Sequence, residues 1–474
     1  VSNHETTHLQ NNVINFPIRY GGIPEPVKKT SIVPTPLVDE MEAEASKLNA
    51  LSEYKSNFDW EPFRDLERRA LKKPIRGGFV FKSPFKLVNS HATCQQCLYS
   101  FEVDTYGRGC AHNCVYCYAK AELTVHGYWN KPYPVPVDIN AIRKSFYTVF
   151  ETDKNSKWRE IMEKRIPIRI GSMSDSFMWM DDKLKVTKEF ISILNHYQYP
   201  HLIFTRSDLI ARDDYMKIID PKLAAIQFSI SSTNDKMNKL IEPGAPSARR
   251  RLAALTKLSK SGYWTTVRIN PLFPIHPDGY FTNPNFKWNG PVPKFEFSSF
   301  EMVDEIANAG VPAILAGMGR FSSFALNQLE RVTGFDLRQL YTNNIKKSMR
   351  DFHFSDQETR YYYDQIKERC DRHGVQFTTC YIGNGELHFW KDQDIWSNKT
   401  DCCNVKGRIA AFKNDCRGVS FDTRLKYTNH KKAQPIDNAT LHRPLSAPEV
   451  FLRSLVPPSS SGKSNNLLKG PVEL

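Results

Sequence analysis

From about Phe101 onward, short apolar runs alternate with amphipathic stretches, and this rhythm restricts the possible fold more than any other feature of the chain. The apolar runs lie at 101–103, 168–170, 201–204, 225–230, 265–269, 313–315 and 375–377. Between them, residues 185–197, 247–261, 300–309 and 358–372 repeat apolar side chains at helical spacing. Strands separated by helices run parallel and are joined by right-handed crossovers, because an antiparallel pair needs only a short turn. The rhythm therefore predicts an α/β fold, a partial TIM-like (β/α)6 barrel, with its ligand-binding groups gathered just after the strands.

The expected organisation is an N-terminal extension at 1–98, the barrel at 99–385, a C-terminal extension carrying cysteines and aromatics at 386–455, and a disordered tail at 456–474. The N-terminal part reads as a proline-bearing arm at 17–36 followed by helices at 39–52 and 61–71. Residues 276–293, rich in Pro, Gly, Asn and aromatics, read as a long loop at the barrel mouth. The tail carries the run Pro-Pro-Ser-Ser-Ser-Gly-Lys at 457–463.

Forty per cent apolar and twelve per cent aromatic residues supply a core large enough for a globular enzyme. No run of eighteen apolar residues or leader pattern occurs, so the expectation is a cytoplasmic protein. Sixty-five Lys and Arg against fifty-one Asp and Glu leave +14, which favours a polyanionic partner, DNA or another nucleobase-containing substrate. Ten cysteines in a reducing compartment point to metal rather than to disulfides.

Three of them, Cys110, Cys114 and Cys117, stand at C-x3-C-x2-C just after the first run. Three thiolates within eight residues can each hold one corner of a [4Fe-4S] cubane and leave the fourth iron without a protein ligand. An open iron can chelate the amino and carboxylate groups of S-adenosylmethionine (SAM), whose reductive cleavage yields a 5′-deoxyadenosyl radical. Gly107 and Gly109 let the loop come close to such a cluster, while His112 reads as a solvent-side or supporting residue with no assigned role.

This motif resembles that of the radical SAM superfamily, in which Tyr116 would occupy the aromatic position near the adenine. Further segments resemble the spore photoproduct lyase-like (DNA repair photolyase-like) group, in order from about Phe101 to Pro274. They are Gly171-Ser-Met-Ser-Asp175, Thr205-Arg206-Ser207, Phe228-Ser229-Ile230-Ser231, Ile241-Glu242-Pro243-Gly244-Ala245-Pro246-Ser247 and Asn270-Pro271-Leu-Phe-Pro274. The resemblance implies a radical SAM barrel acting on a DNA base, to reverse a lesion or to modify or rearrange the base. A flavodoxin or ferredoxin would be the electron donor. Ser172, Ser174, Asp175, Arg206 and Ser229 become candidate SAM contacts, although Ser and Asp also serve commonly as turn and capping residues. Glu242 and Arg251 read equally well as an internal ion pair.

One departure stands out: the group's lyase returns a hydrogen atom through a cysteine some way beyond its cluster, and this chain has no cysteine from Tyr118 to Arg369. Cys380, after the last run, is the candidate hydrogen donor. Cys94 and Cys97 upstream, with Cys402, Cys403 and Cys416 downstream, form a candidate second site for an Fe-S cluster or zinc if they meet in space. Cys370 reads as a packing residue. Trp390, Trp396 and Lys399 could stack on and neutralise a nucleic acid, with core packing as the alternative. Tyr361, Tyr362 and Tyr363, consecutive on a helix, point different ways. Two other functions fit the same residues: radical chemistry on a peptide, protein or small molecule, and a non-catalytic metal-containing nucleic-acid-binding protein.

Overall fold

The computed structural model describes residues 85–87, 97–107, 109–120, 134–275, 297–341, 343–344, 352–354, 356–380, 395–398 and 400–419. The expected N-terminal helices, the 276–293 loop, Cys94, Trp390, Lys399 and the tail lie outside them. Within the described residues an eight-stranded sheet forms in simple chain order: β1 (Phe85–Leu87), β2 (Phe101–Val103), β3 (Ile168–Ile170), β4 (His201–Thr205), β5 (Ala224–Ser229), β6 (Trp264–Leu272), β7 (Ala313–Met318) and β8 (Gln376–Thr379). Only the edge strand β1 is antiparallel. The remaining seven are parallel. The expected partial TIM-like α/β fold is therefore present, with one parallel strand beyond six and the two edges left unpaired with each other.

Neighbouring residues in register point to the same side of a sheet, so the pairing sorts the side chains into two faces. One face carries Val103, Ile170, Ile203, Phe228, Val267, Ile314 and Phe377, all buried. Amphipathic crossover helices account for this apolar side. They include α1 (Ile139–Phe150), α2 (Val186–His196), α3 (Asp235–Ile241), α4 (Ala248–Lys260), α5 (Glu301–Asn308), α6 (Ser323–Thr333) and α7 (Asp356–Arg372). The other face carries Glu102, Arg169, Leu202, Phe204, Gln227, Thr266, Arg268, Leu315 and Thr378, a largely polar set lining the interior of the partial barrel.

Local chemistry fixes the helix ends. Asp138 caps α1 by accepting from Asn140 N at 3.0 Å and Ala141 N at 3.2 Å. Ser247 caps α4, Ser322 caps α6, and α6 ends on Gly334 at φ +71°, a left-handed conformation that glycine adopts without cost.

The described part of the C-terminal extension packs against the polar face. Thr378 Oγ1 donates to Cys402 O at 2.7 Å, Gln227 Nε2 to Cys403 O at 2.9 Å and Trp264 Nε1 to Asn404 O at 2.8 Å. Cys416 N donates to Leu98 O at 2.8 Å, so this segment links the last strand to the start of the first parallel one. Trp396 is buried and donates to Thr379 Oγ1 at 2.7 Å, which makes it a packing residue rather than a stacking platform. Tyr361 is exposed while Tyr362 and Tyr363 are buried, and Cys370 is buried. Among the described residues no helix is long and apolar enough to cross a membrane.

Candidate functional site

The cysteine loop follows β2 on the side where the parallel strands end. Two tight turns shape it: Asn113 N donates to Cys110 O at 3.1 Å and Cys117 N to Cys114 O at 3.3 Å, with Asn113 at φ +48°. These turns bring the three thiols close enough that ionising one hinders ionising another. Burial, more than the neighbouring Asp175, pushes the Cys110 thiol up to about 12, and burial likewise raises Cys114 and Cys117. Thiols with raised pKa values ionise when a metal replaces the proton. Among the described residues no three His, Cys, Asp or Glu side chains converge on the position of a single ion. A cubane places each cysteine on a different iron, so three thiols on one short loop, Cys114 buried and Cys110 and Cys117 half-buried, would suit three of its corners.

Two distant segments, 175–178 and 241–244, hold the loop. Val115 N donates to Ile241 O at 2.9 Å, and Gly244 N donates to His112 O at 3.0 Å. His112 Nδ1 donates back to Gly244 O at 3.1 Å, while Nε2 stands 3.1 Å from Asp175 Oδ2. Ala111 N points at Met178 Sδ at 3.0 Å. A Cβ on Gly244 would lie 2.0 Å from Ala111 O, so the Glu-Pro-Gly-Ala-Pro-Ser segment needs glycine there in order to touch the loop.

Asp175 is the strand-end peg. Its carboxylate accepts from Thr205 Oγ1 at 2.9 Å, Arg206 N at 2.7 Å and Phe177 N at 2.8 Å. Burial alone would raise this carboxyl, but His112 and these donors hold it below the usual carboxylate range. Ser174 Oγ donates to Tyr106 O at 2.6 Å. Ser174 and Asp175 thus spend these contacts on tying β3 and β4 to the cysteine loop. Ser172 N donates to Asp104 Oδ1 at 2.7 Å, and Ser172 O accepts from Tyr118 OH at 2.8 Å. The turn depends on Gly171 at φ +86°, where a Cβ would lie 2.3 Å from Phe204 O.

Glu242 gathers the remaining candidates. It pairs with Arg251 and accepts from Tyr116 OH, and Arg206 Nη1 donates to it at 2.6 Å and to Tyr116 OH at 2.7 Å. Burial works against the charge, yet Arg251, Arg206 and Tyr116 together hold the Glu242 carboxyl down to about 2. The Tyr116 ring meets Phe273 edge-on at 5.2 Å between centroids. Arg206 remains partly exposed, and its charge favours the thiolate of Cys114. Ser229 is half-buried at the end of β5, and its carbonyl accepts from Arg251 Nη1 at 3.1 Å. The structure therefore brings Tyr116, Arg206, Ser174, Asp175 and the three cysteines into one constellation. Cys380 stands apart, at the end of β8, with Arg268 Nη2 at 4.0 Å from its sulfur.

Sequence reasoning passed over His112 and Asp104. His112 had a readable signal, a histidine between two of the loop's cysteines, but its partners lie far along the chain. Asp104 follows β2 directly, where strand-end carboxylates commonly accept backbone N–H groups.

Residues 105–282 match the family model of the radical SAM superfamily. An uncharacterised protein of Methanocaldococcus jannaschii is 27% identical over 171 residues, 35% of this chain and 58% of its own length. An uncharacterised protein of Mycobacterium tuberculosis is 23% identical over 217 residues, 44% of this chain and 60% of its own. The chain thus spans less than two thirds of these curated relatives. Among solved structures, a spore photoproduct lyase variant with bound AdoMet and dinucleoside spore photoproduct superposes with a TM-score of 0.44 at 17% identity, covering 73% of this chain and 95% of that one. Streptococcus suis SuiB bound to S-adenosylmethionine gives 0.34 at 12% identity, covering 72% and 61%.

Proposed function

We propose that this chain, whose residues 105–282 match the radical SAM family model, is an enzyme of that superfamily, that Cys110, Cys114 and Cys117 hold a [4Fe-4S] cluster, and that the enzyme abstracts a hydrogen atom from a base in DNA. The superfamily works with an iron-sulfur cluster and SAM, which together supply one-electron cleavage of the sulfonium and a 5′-deoxyadenosyl radical. The observation that carries the reading is the cysteine loop pinned by His112, Gly244 and Asp175 at the strand ends, the position where parallel α/β folds gather their ligands.

The chain's own residues then have distinct tasks. Tyr116, held by Glu242 and Phe273, walls the site beside Cys114. Arg206 presents a guanidinium next to the same cysteine, suited to a carboxylate or ribose oxygen of SAM, with Ser172 and Ser229 at neighbouring strand ends. His112 and Asp175 position the loop without touching the substrate. The excess of fourteen positive charges and the ordered likeness of several strand-end segments to the spore photoproduct lyase-like group support a DNA base as substrate.

The test is to assay anaerobically reconstituted protein, with flavodoxin or dithionite as reductant, for SAM cleavage in the presence of DNA oligonucleotides or of peptides. Stimulation by DNA is expected, together with a changed nucleoside in mass spectra of the digested oligonucleotide. Stimulation by peptides alone would replace the substrate assignment.

A further inference from the structure

Five cysteines outside the 110–117 loop come together in the fold, although they span more than three hundred positions of the chain. Cys402 hydrogen-bonds to Cys380, and its sulfur is 4.0 Å from that of Cys403. Cys97 lies within electrostatic reach of Cys380 and of Cys416. Cys416 accepts from Ser100 Oγ at 3.3 Å. The backbone of the group is clamped rather than loose. Cys380 N donates to Ala316 O at 2.9 Å, and Cys402, Cys403 and Cys416 are tied to Thr378, Gln227 and Leu98 as described above.

Two cations stand beside these thiols on the polar face. Arg268 places Nη2 4.0 Å from Cys380 Sγ and Nη1 3.0 Å from Gln227 Oε1, with its guanidinium 4.4 Å from the centre of the Phe204 ring. Arg169, paired with Glu102 on the same face, packs on the same ring at 5.4 Å, and its charge favours the thiolate of Cys97. Ordinary packing explains one buried thiol at a time. It does not explain five thiols from three separate segments drawn together, Cys380 and Cys97 of them beside guanidiniums, inside a partial barrel. A thiolate-ligated cluster carries net negative charge, which these cations would offset.

We propose that Cys97, Cys380, Cys402, Cys403 and Cys416 form the binding site of a second iron-sulfur cluster, seated against the polar face where the C-terminal extension meets β8 and the start of β2. The assignment makes Cys380 a ligand and removes it from the role of hydrogen donor. It stands independently of the 110–117 loop.

The test uses the full-length chain with Cys110, Cys114 and Cys117 all changed to Ala, reconstituted anaerobically with iron and sulfide. This variant is expected to keep about four irons and four sulfides per chain, with thiolate-to-iron charge-transfer absorbance and an EPR signal, once reduced, that SAM does not alter. Adding Cys97→Ser, Cys380→Ser and Cys402→Ser should reduce iron to background while circular dichroism stays that of the parent, which separates ligand loss from unfolding. Three results would overturn the proposal: no bound iron in the first variant, iron retained after the three serine substitutions, or zinc in place of iron. A Cys380–Cys402 disulfide in iron-free protein would likewise replace it with a thiol redox pair.

Discussion

Glu242 lies fully buried between Arg251 and Arg206, so converting it to the neutral amide leaves two cations facing each other in a water-poor site. Removing one partner of such a buried pair typically costs about 3–5 kcal/mol. Glu242→Gln is therefore expected to lower stability in denaturant by that amount, and a loss under about 1 kcal/mol would mean that the network is not held as described. Gly244 tests the geometry of the loop rather than its charge. With Ala111 O only 2.0 Å from the position of a new Cβ, Gly244→Ala must push the cysteine loop away. Displacement by about an ångström commonly costs on the order of a hundredfold in rate, so SAM cleavage should fall by that order while iron binding by Cys110, Cys114 and Cys117 persists in part. Wild-type turnover in this variant would show that the contact does not set the loop's position.

The strands after Phe101 were legible because each is a short apolar run bounded by polar turns. The observed β3 to β8 begin within about a residue of the expected runs, β6 and β7 extend three residues past them and β8 two. The helix Ala248–Lys260 was equally plain from its serine cap and apolar spacing. Ile139–Phe150 carried the same signals in Asp138, Ile142, Phe146 and Val149, yet its neighbours gave no apolar run to set it against. Of the site, Cys110, Cys114 and Cys117 announced themselves by spacing. The roles of Ser174 and Asp175 did not, since sequence cannot tell a ligand contact from a peg between two strand ends. The meeting of Cys380 with Cys402 and of Cys97 with Cys416 depends on how the C-terminal extension docks, which no local pattern encodes. At the head of β4, His201 is buried with Nδ1 3.0 Å from Tyr199 O, and burial outweighs that bond to bring its pKa from 6.5 to about 4. A depressed folded value means stability that is full above pH 6.5 and is lost as pH falls through about 4. The loss attributable to this residue approaches about 3 kcal/mol. His201→Gln should flatten the stability profile between those pH values in urea titrations. An unchanged slope would assign the acid sensitivity elsewhere.

Across the whole molecule, the barrel joins two thiol groups of different kind: a three-cysteine loop at the strand ends and a five-cysteine group against its polar face. The net charge of +14 acts at this level too. If DNA is the substrate, its binding releases counterions, and affinity should fall steeply, by orders of magnitude, between about 50 and 200 mM salt. A flat salt response in fluorescence anisotropy with labelled oligonucleotides would argue for an uncharged substrate. The central claim, radical chemistry launched from Cys110, Cys114 and Cys117, is tested most directly by chromatographic measurement of 5′-deoxyadenosine. Reconstituted wild-type protein with SAM and a reductant is expected to form it, and Cys114→Ala to form none above the protein-free control. Equal formation by both proteins would contradict the account.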